Sequence, residues 1–142
     1  MMSKYSGLSI LLTGAIDIEH TPFAISVPKN IRFNEYITSI TYMLEKYKNL
    51  NIVYIDSSNY DFKLKNPEFN KFSNFESLTC IAQDIVQNAG KGAGELYSIK
   101  YALENSVFLR NSKYIMKING RYKLINLEKI IKDINFDNKN SV

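Results

Sequence analysis

Two strand-length apolar runs, at residues 8–12 and 51–56, enclose a helical apolar stripe at residues 33–47, and a second helix-then-strand pair follows at residues 94–106 and 114–118. Alternation of this kind favours parallel neighbours, because a parallel connection needs a long crossover, usually a helix that then covers one face of the sheet. The fold class expected is therefore α/β: an open, mostly parallel sheet flanked by helices in a three-layer sandwich. The length of 142 residues suits one domain, large enough to bury roughly two-thirds of the surface of its unfolded chain. Residues 1–134 are assigned to that domain and residues 135–142 to a polar, frayed tail.

The first strand, Leu8-Ser9-Ile10-Leu11-Leu12, stops at Thr13-Gly14. Residues 15–30 contain Asp17, Glu19, His20, Pro22 and Pro28, which prevent a long helix and predict a loop over the open edge of the sheet. Phe33, Tyr36, Ile37, Ile40, Met43, Leu44 and Tyr47 recur at helical spacing, with Asn34 or the preceding loop as cap. Asn51-Ile52-Val53-Tyr54-Ile55-Asp56 reads as a second buried strand that ends in the turn Ser57-Ser58-Asn59. Residues 61–76, polar and aromatic around Pro67, read as a loop with one short helical turn. Residues 77–82 are assigned to a third strand, although Ile81, Ile85 and Val86 also allow a helix.

Leu96, Ile99, Lys100, Ala102 and Leu103 give residues 94–106 a helical pattern, with Glu95 placed in its first turn to complement the helix dipole. Tyr114-Ile115-Met116-Lys117-Ile118 is a compact strand closed by the turn Asn119-Gly120. Asn126 then caps a last helix over residues 127–134.

Composition narrows the function classes. Hydrophobic residues at 45% and charged residues at 23% exclude a disordered chain. The formal charge of +4 is carried by lysines spread among acids, so no stripe for nucleic acid is formed. Diffuse positive charge suits an anionic small ligand or an acidic membrane face. The single cysteine, Cys80, lies in an apolar run and excludes an intramolecular disulfide, consistent with a buried thiol in a reducing, cytoplasmic setting. The apolar run near the amino terminus is too short for a signal peptide or a membrane span. One histidine, His20, and one cysteine cannot form the usual zinc clusters, and no G-x-G-x-x-G or Walker string follows the first strand. The ten tyrosines and eight phenylalanines are assigned mainly to the core.

Charged and glycine-bearing punctuation falls at the carboxyl ends of the strands, where ligands bind in open α/β sheets. These segments are Thr13-Gly14, Asp56, Lys91-Gly92-Ala93-Gly94-Glu95 at a helix start, and Lys117-Ile118-Asn119-Gly120-Arg121-Tyr122. Glycine permits close backbone approach, a helix amino terminus favours anions, and arginine can grip a diphosphate through two parallel hydrogen bonds. The combination reads as a nucleotide-sugar site. Each residue also has a plainer reading: Asp56 as a turn cap, Arg32 and Lys91 as solvated cations, Glu95 as the dipole's partner, Lys117 and Arg121 as exposed strand-end charges.

The order of these motifs resembles a group of bacterial GT-A-type glycosyltransferases that build capsule and lipopolysaccharide sugars. The resemblance runs through Ile10-Leu11-Leu12-Thr13-Gly14, Arg32, Glu35-Tyr36, Asp56-Ser57-Ser58-Asn59, the segment from Lys91 to Glu95, Tyr101-Ala102-Leu103-Glu104-Asn105-Ser106 and the segment from Tyr114 to Tyr122, and covers about residues 8–130. It implies a Rossmann-like sheet in which Thr13, Gly14 and Asp56 hold the nucleotide. Arg32, Lys91, Gly92 and Gly94 would approach phosphate or sugar, and Glu95 would accept a sugar hydroxyl or act as catalytic base. Lys117, Gly120 and Arg121 stand where many relatives carry an Asp-X-Asp metal motif. Fixed cations there would neutralise the leaving diphosphate without Mg or Mn, so no cofactor is expected.

The partners implied are a nucleotide-sugar donor and a glycan acceptor, with a partner enzyme or peripheral inner-membrane contact on the cytoplasmic side. Asn119 replaces the threonine expected in this pattern. The acceptor-binding half that usually follows the last helix does not follow it here, so donor binding is expected ahead of turnover in isolation. The alternative is a noncatalytic α/β interaction module, or a truncated remnant, that binds a partner enzyme.

Overall fold

A computed structural model describes residues 7–18, 28–123 and 125–133. His20, most of the loop expected over residues 15–30, and the tail at residues 135–142 lie outside the described residues. Among the described residues four strands form one all-parallel sheet: β1 (Leu8–Gly14), β2 (Asn51–Asp56), β3 (Phe75–Thr79) and β4 (Tyr114–Asn119), in the spatial order β3-β2-β1-β4. The helices are α1 (Lys29–Lys46), α2 (Phe62–Lys65), α3 (Gln83–Ala89), α4 (Lys91–Asn105), α5 (Val107–Arg110) and α6 (Leu127–Asp133), with a 3-10 turn at Pro67–Lys71. The fold is thus the α/β, Rossmann-like arrangement expected.

Side chains that alternate along a strand point to opposite faces, and the two faces are filled by different helices. Ile10 and Leu12 of β1 and Ile52 and Tyr54 of β2 face Tyr36, Ile40, Met43 and Leu44 of α1 and Leu127 and Ile131 of α6. Leu11, Val53 and Ile55 face Ala102 of α4, Leu109 of α5 and Cys80. Each such Leu or Ile, fully buried, contributes about 1.5–3 kcal/mol. The layer order sends the β1-to-β2 connection over one face and the β3-to-β4 connection over the other.

Several boundaries differ from the sequence reading, each for a physical reason. Helix α1 begins a turn earlier than Phe33, at Lys29, after Pro28, whose side chain makes no cap bond. Lys29, Asn30 and Ile31 are exposed there, so that turn carries no apolar stripe to announce it. Residues 61–76 are not a loop with one turn: they hold α2, the 3-10 turn and the start of β3. Asp61 caps α2 by accepting from the Leu64 N–H at 3.2 Å, while Phe62, Phe69 and Phe75 turn inward as one cluster, with Phe62 to Phe69 centroids 4.8 Å apart. The third strand spans Phe75–Thr79, not residues 77–82, because Phe75 anchors its start opposite Ile52.

The helix that Ile85 and Val86 allowed is formed as α3, after β3 and not in place of it, and α4 starts at Lys91 instead of Gly94. The two helices join at Gly90, whose φ of 90° is one that glycine adopts without strain. A Cβ at Gly94 would lie 2.4 Å from Val86 Cγ2, so this glycine serves helix-helix contact. Glu95 consequently falls beyond the first turn of α4 and does not complement its dipole there.

Candidate functional site

Strand order reverses between β1 and β4: α1 leaves β1 over one face, while α4 reaches β4 across the other. A crevice outside the carboxyl ends of strands at such a switch point is where open α/β sheets place ligands. Thr13 and Asn119 are register partners at that position, and the Gly120 N–H donates to the Thr13 carbonyl at 2.8 Å. The structure therefore brings Thr13, Gly14, Lys117, Gly120 and Arg121 to one rim, with Glu95 above it.

On the α4 side, the Lys117 ammonium meets Glu95 Oε1 at 2.7 Å, and the Thr13 hydroxyl donates to the same oxygen at 3.0 Å. Thr13 is buried, whereas the Lys117 and Glu95 side chains are 38% and 43% exposed. The hydrogen bond from Lys117, aided by that from Thr13, holds the Glu95 carboxyl below its ordinary pKa against the opposing effect of burial. An ionised carboxylate with a lowered pKa is a weak proton acceptor, so Glu95 is better suited to holding Lys117 than to acting as general base.

On the α1 side, Arg121 donates through Nε and Nη2 to Glu35 Oε1 at 3.1 and 2.9 Å. Its backbone N–H donates to Asn119 Oδ1 at 2.9 Å, so Asn119, present where threonine was expected, closes the turn that aims the arginine. The next residue is held too, because the Ser39 hydroxyl of α1 donates to the Tyr122 carbonyl at 2.8 Å. Two cations thus stand on opposite sides of Gly120, each tied to a carboxylate from a different helix. Lysine offers three donors and arginine five, so neither pair exhausts its cation.

The glycines at this rim make room for protein and not for open solvent. A Cβ at Gly14 would lie 2.3 Å from Tyr36 Cε1 and 2.7 Å from the Tyr54 hydroxyl, and one at Gly120 would lie 3.1 Å from the Thr13 carbonyl. Both tyrosines are buried and packed edge-to-face, with centroids 5.9 Å apart. Gly14→Ala is expected to lower stability by about 1–3 kcal/mol in urea unfolding, the range for overpacking a filled core. A glycine kept only for ligand approach would tolerate alanine in the unliganded protein.

Asp56 also faces inward. It is fully buried; Oδ2 accepts from the Ile16 N–H at 3.0 Å and the Tyr54 hydroxyl at 2.7 Å. Oδ1 accepts from the Ser58 N–H at 2.8 Å, the Ser58 hydroxyl at 2.5 Å and the Tyr60 N–H at 3.2 Å. This carboxylate pins the loops after β1 and β2 together, the turn-cap reading extended to two loops. It has no lone pair turned toward a ribose.

Arg32 donates through Nε to the Ala15 carbonyl at 3.0 Å, with its guanidinium 5.7 Å from the Tyr36 ring centroid, so it braces the loop after β1. Lys91 and Gly92 are exposed on the first turn of α4, where a Cβ at Gly92 would touch nothing within 4 Å. Glu35, the partner of Arg121, was not among the expected site residues. It stood in the motif order without a role, and its place in α1 opposite Arg121 supplies one. Among the described residues no three of His, Cys, Asp and Glu gather as a metal-binding group, and no helix is long and apolar enough to cross a membrane.

Fold and rim together define an open-sheet α/β protein with paired cations at its topological switch point. No protein-family model, curated protein or solved structure matches the chain.

Proposed function

We propose that the β1/β4 crevice binds the diphosphate of a nucleotide-sugar, and that the protein is a glycosyltransferase, or the donor-holding part of one, acting on a bacterial surface glycan. The observation that carries this reading is the placement of Lys117 and Arg121 on either side of Gly120 at the switch point, each oriented by a helix-borne carboxylate. Cations pre-oriented in this way stabilise the charge that develops on a leaving diphosphate, which is the part a metal plays elsewhere. Glu95 serves in this scheme to hold Lys117 at the rim before the ligand arrives. The glycan specificity rests on the motif resemblance alone.

A second reading, that of an interaction module, is favoured by apolar side chains left exposed on one face of the edge strand β4 and on α4. Ile115 of β4 is 39% exposed, and Leu96 and Leu103 of α4 are also exposed.

Thermal unfolding with UDP-, GDP-, CDP- and CMP-sugars, with and without Mg or Mn, separates the two. A donor at 100 times its Kd should stabilise the protein by about 2.7 kcal/mol. Lys117→Ala and Arg121→Ala should each weaken the donor roughly tenfold to a hundredfold, the worth of a hydrogen bond to a charged group. Retention of the shift without metal supports the cationic scheme. No shift with any donor overturns the reading in favour of the interaction module.

A further inference from the structure

Glu95 Oε1 occupies a point that two donors share: the Lys117 ammonium at 2.7 Å and the hydroxyl of buried Thr13 at 3.0 Å. A carboxylate oxygen so placed takes the two kinds of donor, an ammonium and a hydroxyl, that a phosphoryl oxygen also takes; the Lys117 distance is that of a charge-assisted hydrogen bond, and the Thr13 contact is longer. We infer that this point is the seat of a phosphoryl oxygen of the ligand, and that Glu95 is an internal competitor which the ligand displaces. The inference rests on the nucleotide-sugar reading and identifies where in the crevice the diphosphate sits.

Three features of the pair make displacement feasible. The Lys117–Glu95 contact is partly exposed, and ion pairs of that kind contribute only about 0–1 kcal/mol. The Glu95 side chain has solvent on one side, so it can leave by changing rotamer without unfolding α4. The Thr13 hydroxyl, by contrast, is buried at the strand end and loses its acceptor when Glu95 leaves. A ligand oxygen that takes up this donor spares the cost of an unsatisfied buried group. Exchange of one anion for another thus preserves every donor's partner, and ties ligand entry to release of a carboxylate.

The consequence is inhibitory: Glu95 should weaken the protein's own affinity for phosphorylated ligands. Titration calorimetry with inorganic pyrophosphate and with UDP tests this on the wild type, Glu95→Gln, Glu95→Ala and Thr13→Val/Glu95→Ala. Glu104→Gln, an exposed acid on the same helix, controls for net charge. Both Glu95 variants should bind about tenfold more tightly than the wild type, the charge control should change less than about twofold, and adding Thr13→Val should reverse the gain. Wild-type binding that depends on Lys117 and Arg121, together with unchanged or weaker binding by both Glu95 variants, overturns this inference and leaves the donor-site reading standing. Absence of binding by the wild type and by both variants overturns both.

Discussion

Asp56→Ala is expected to lower unfolding stability by about 3–5 kcal/mol, because five donors lose their acceptor together and each buried donor left unsatisfied costs about 1–3 kcal/mol. The sum stays below five full penalties because the loops after β1 and β2 can open to water, and because the substitution removes a buried charge. That charge is itself strained: burial raises the Asp56 carboxyl above its ordinary pKa, while hydrogen bonds from Ser58, Tyr54 and Ile16 act in the opposite direction. The folded protein therefore holds this proton more tightly than the unfolded chain. The proton-linked part of its contribution is fully present below about pH 3.9 and is lost as pH rises through its raised folded value, while the five hydrogen bonds remain. Urea unfolding as a function of pH should show that descending segment in the wild type and a flatter one in Asp56→Asn. Loss of less than about 1 kcal/mol in Asp56→Ala would mean that the loops do not depend on the carboxylate.

Phe62→Ala is expected to cost about 3–5 kcal/mol, the range for deleting a large aromatic from a filled core. The Phe62 ring is fully buried and lies within 4.8 to 6.4 Å, centroid to centroid, of Phe69, Tyr54, Phe75 and Tyr60. Truncation would leave a cavity bounded by β2, β3 and the 3-10 turn, which are too constrained by their own pairing to collapse into it. Denaturant unfolding with an unchanged m value and a lowered midpoint is the expected signature. A loss below about 1 kcal/mol would mark residues 61–76 as a peripheral loop after all.

These two residues illustrate what a linear reading sees and misses. The strands β1 and β2 are legible because burial on both faces demands continuous apolar runs, and Leu8 to Leu12 and Ile52 to Ile55 supply them. Phe62 and Phe69 stand at a helical interval, but Pro67 between them breaks any helix that would use it, and Phe75 lies in the next strand, so their common cluster is visible only once the chain has turned. Helix α3 was left undecided for a related reason: Ile85 and Val86 are only partly buried, and an apolar stretch so short does not separate a helix from a strand.

At the rim the same division holds. Lys117, Gly120 and Arg121 announced a charged strand end, and the sheet places that end at the switch point. Glu35 lies 86 positions from Arg121, and no spacing rule links a carboxylate to a cation across such a separation.

By itself the sequence determined the α/β class, the two central buried strands and the presence of cations at the end of β4, since these follow from local apolar patterning and from residue identity. Only the tertiary structure decided which carboxylate meets each cation, that the tyrosines fill the space beside Gly14, and that Asp56 turns inward. Those outcomes depend on contacts between segments remote in the chain, and such contacts are set by the packing of whole elements.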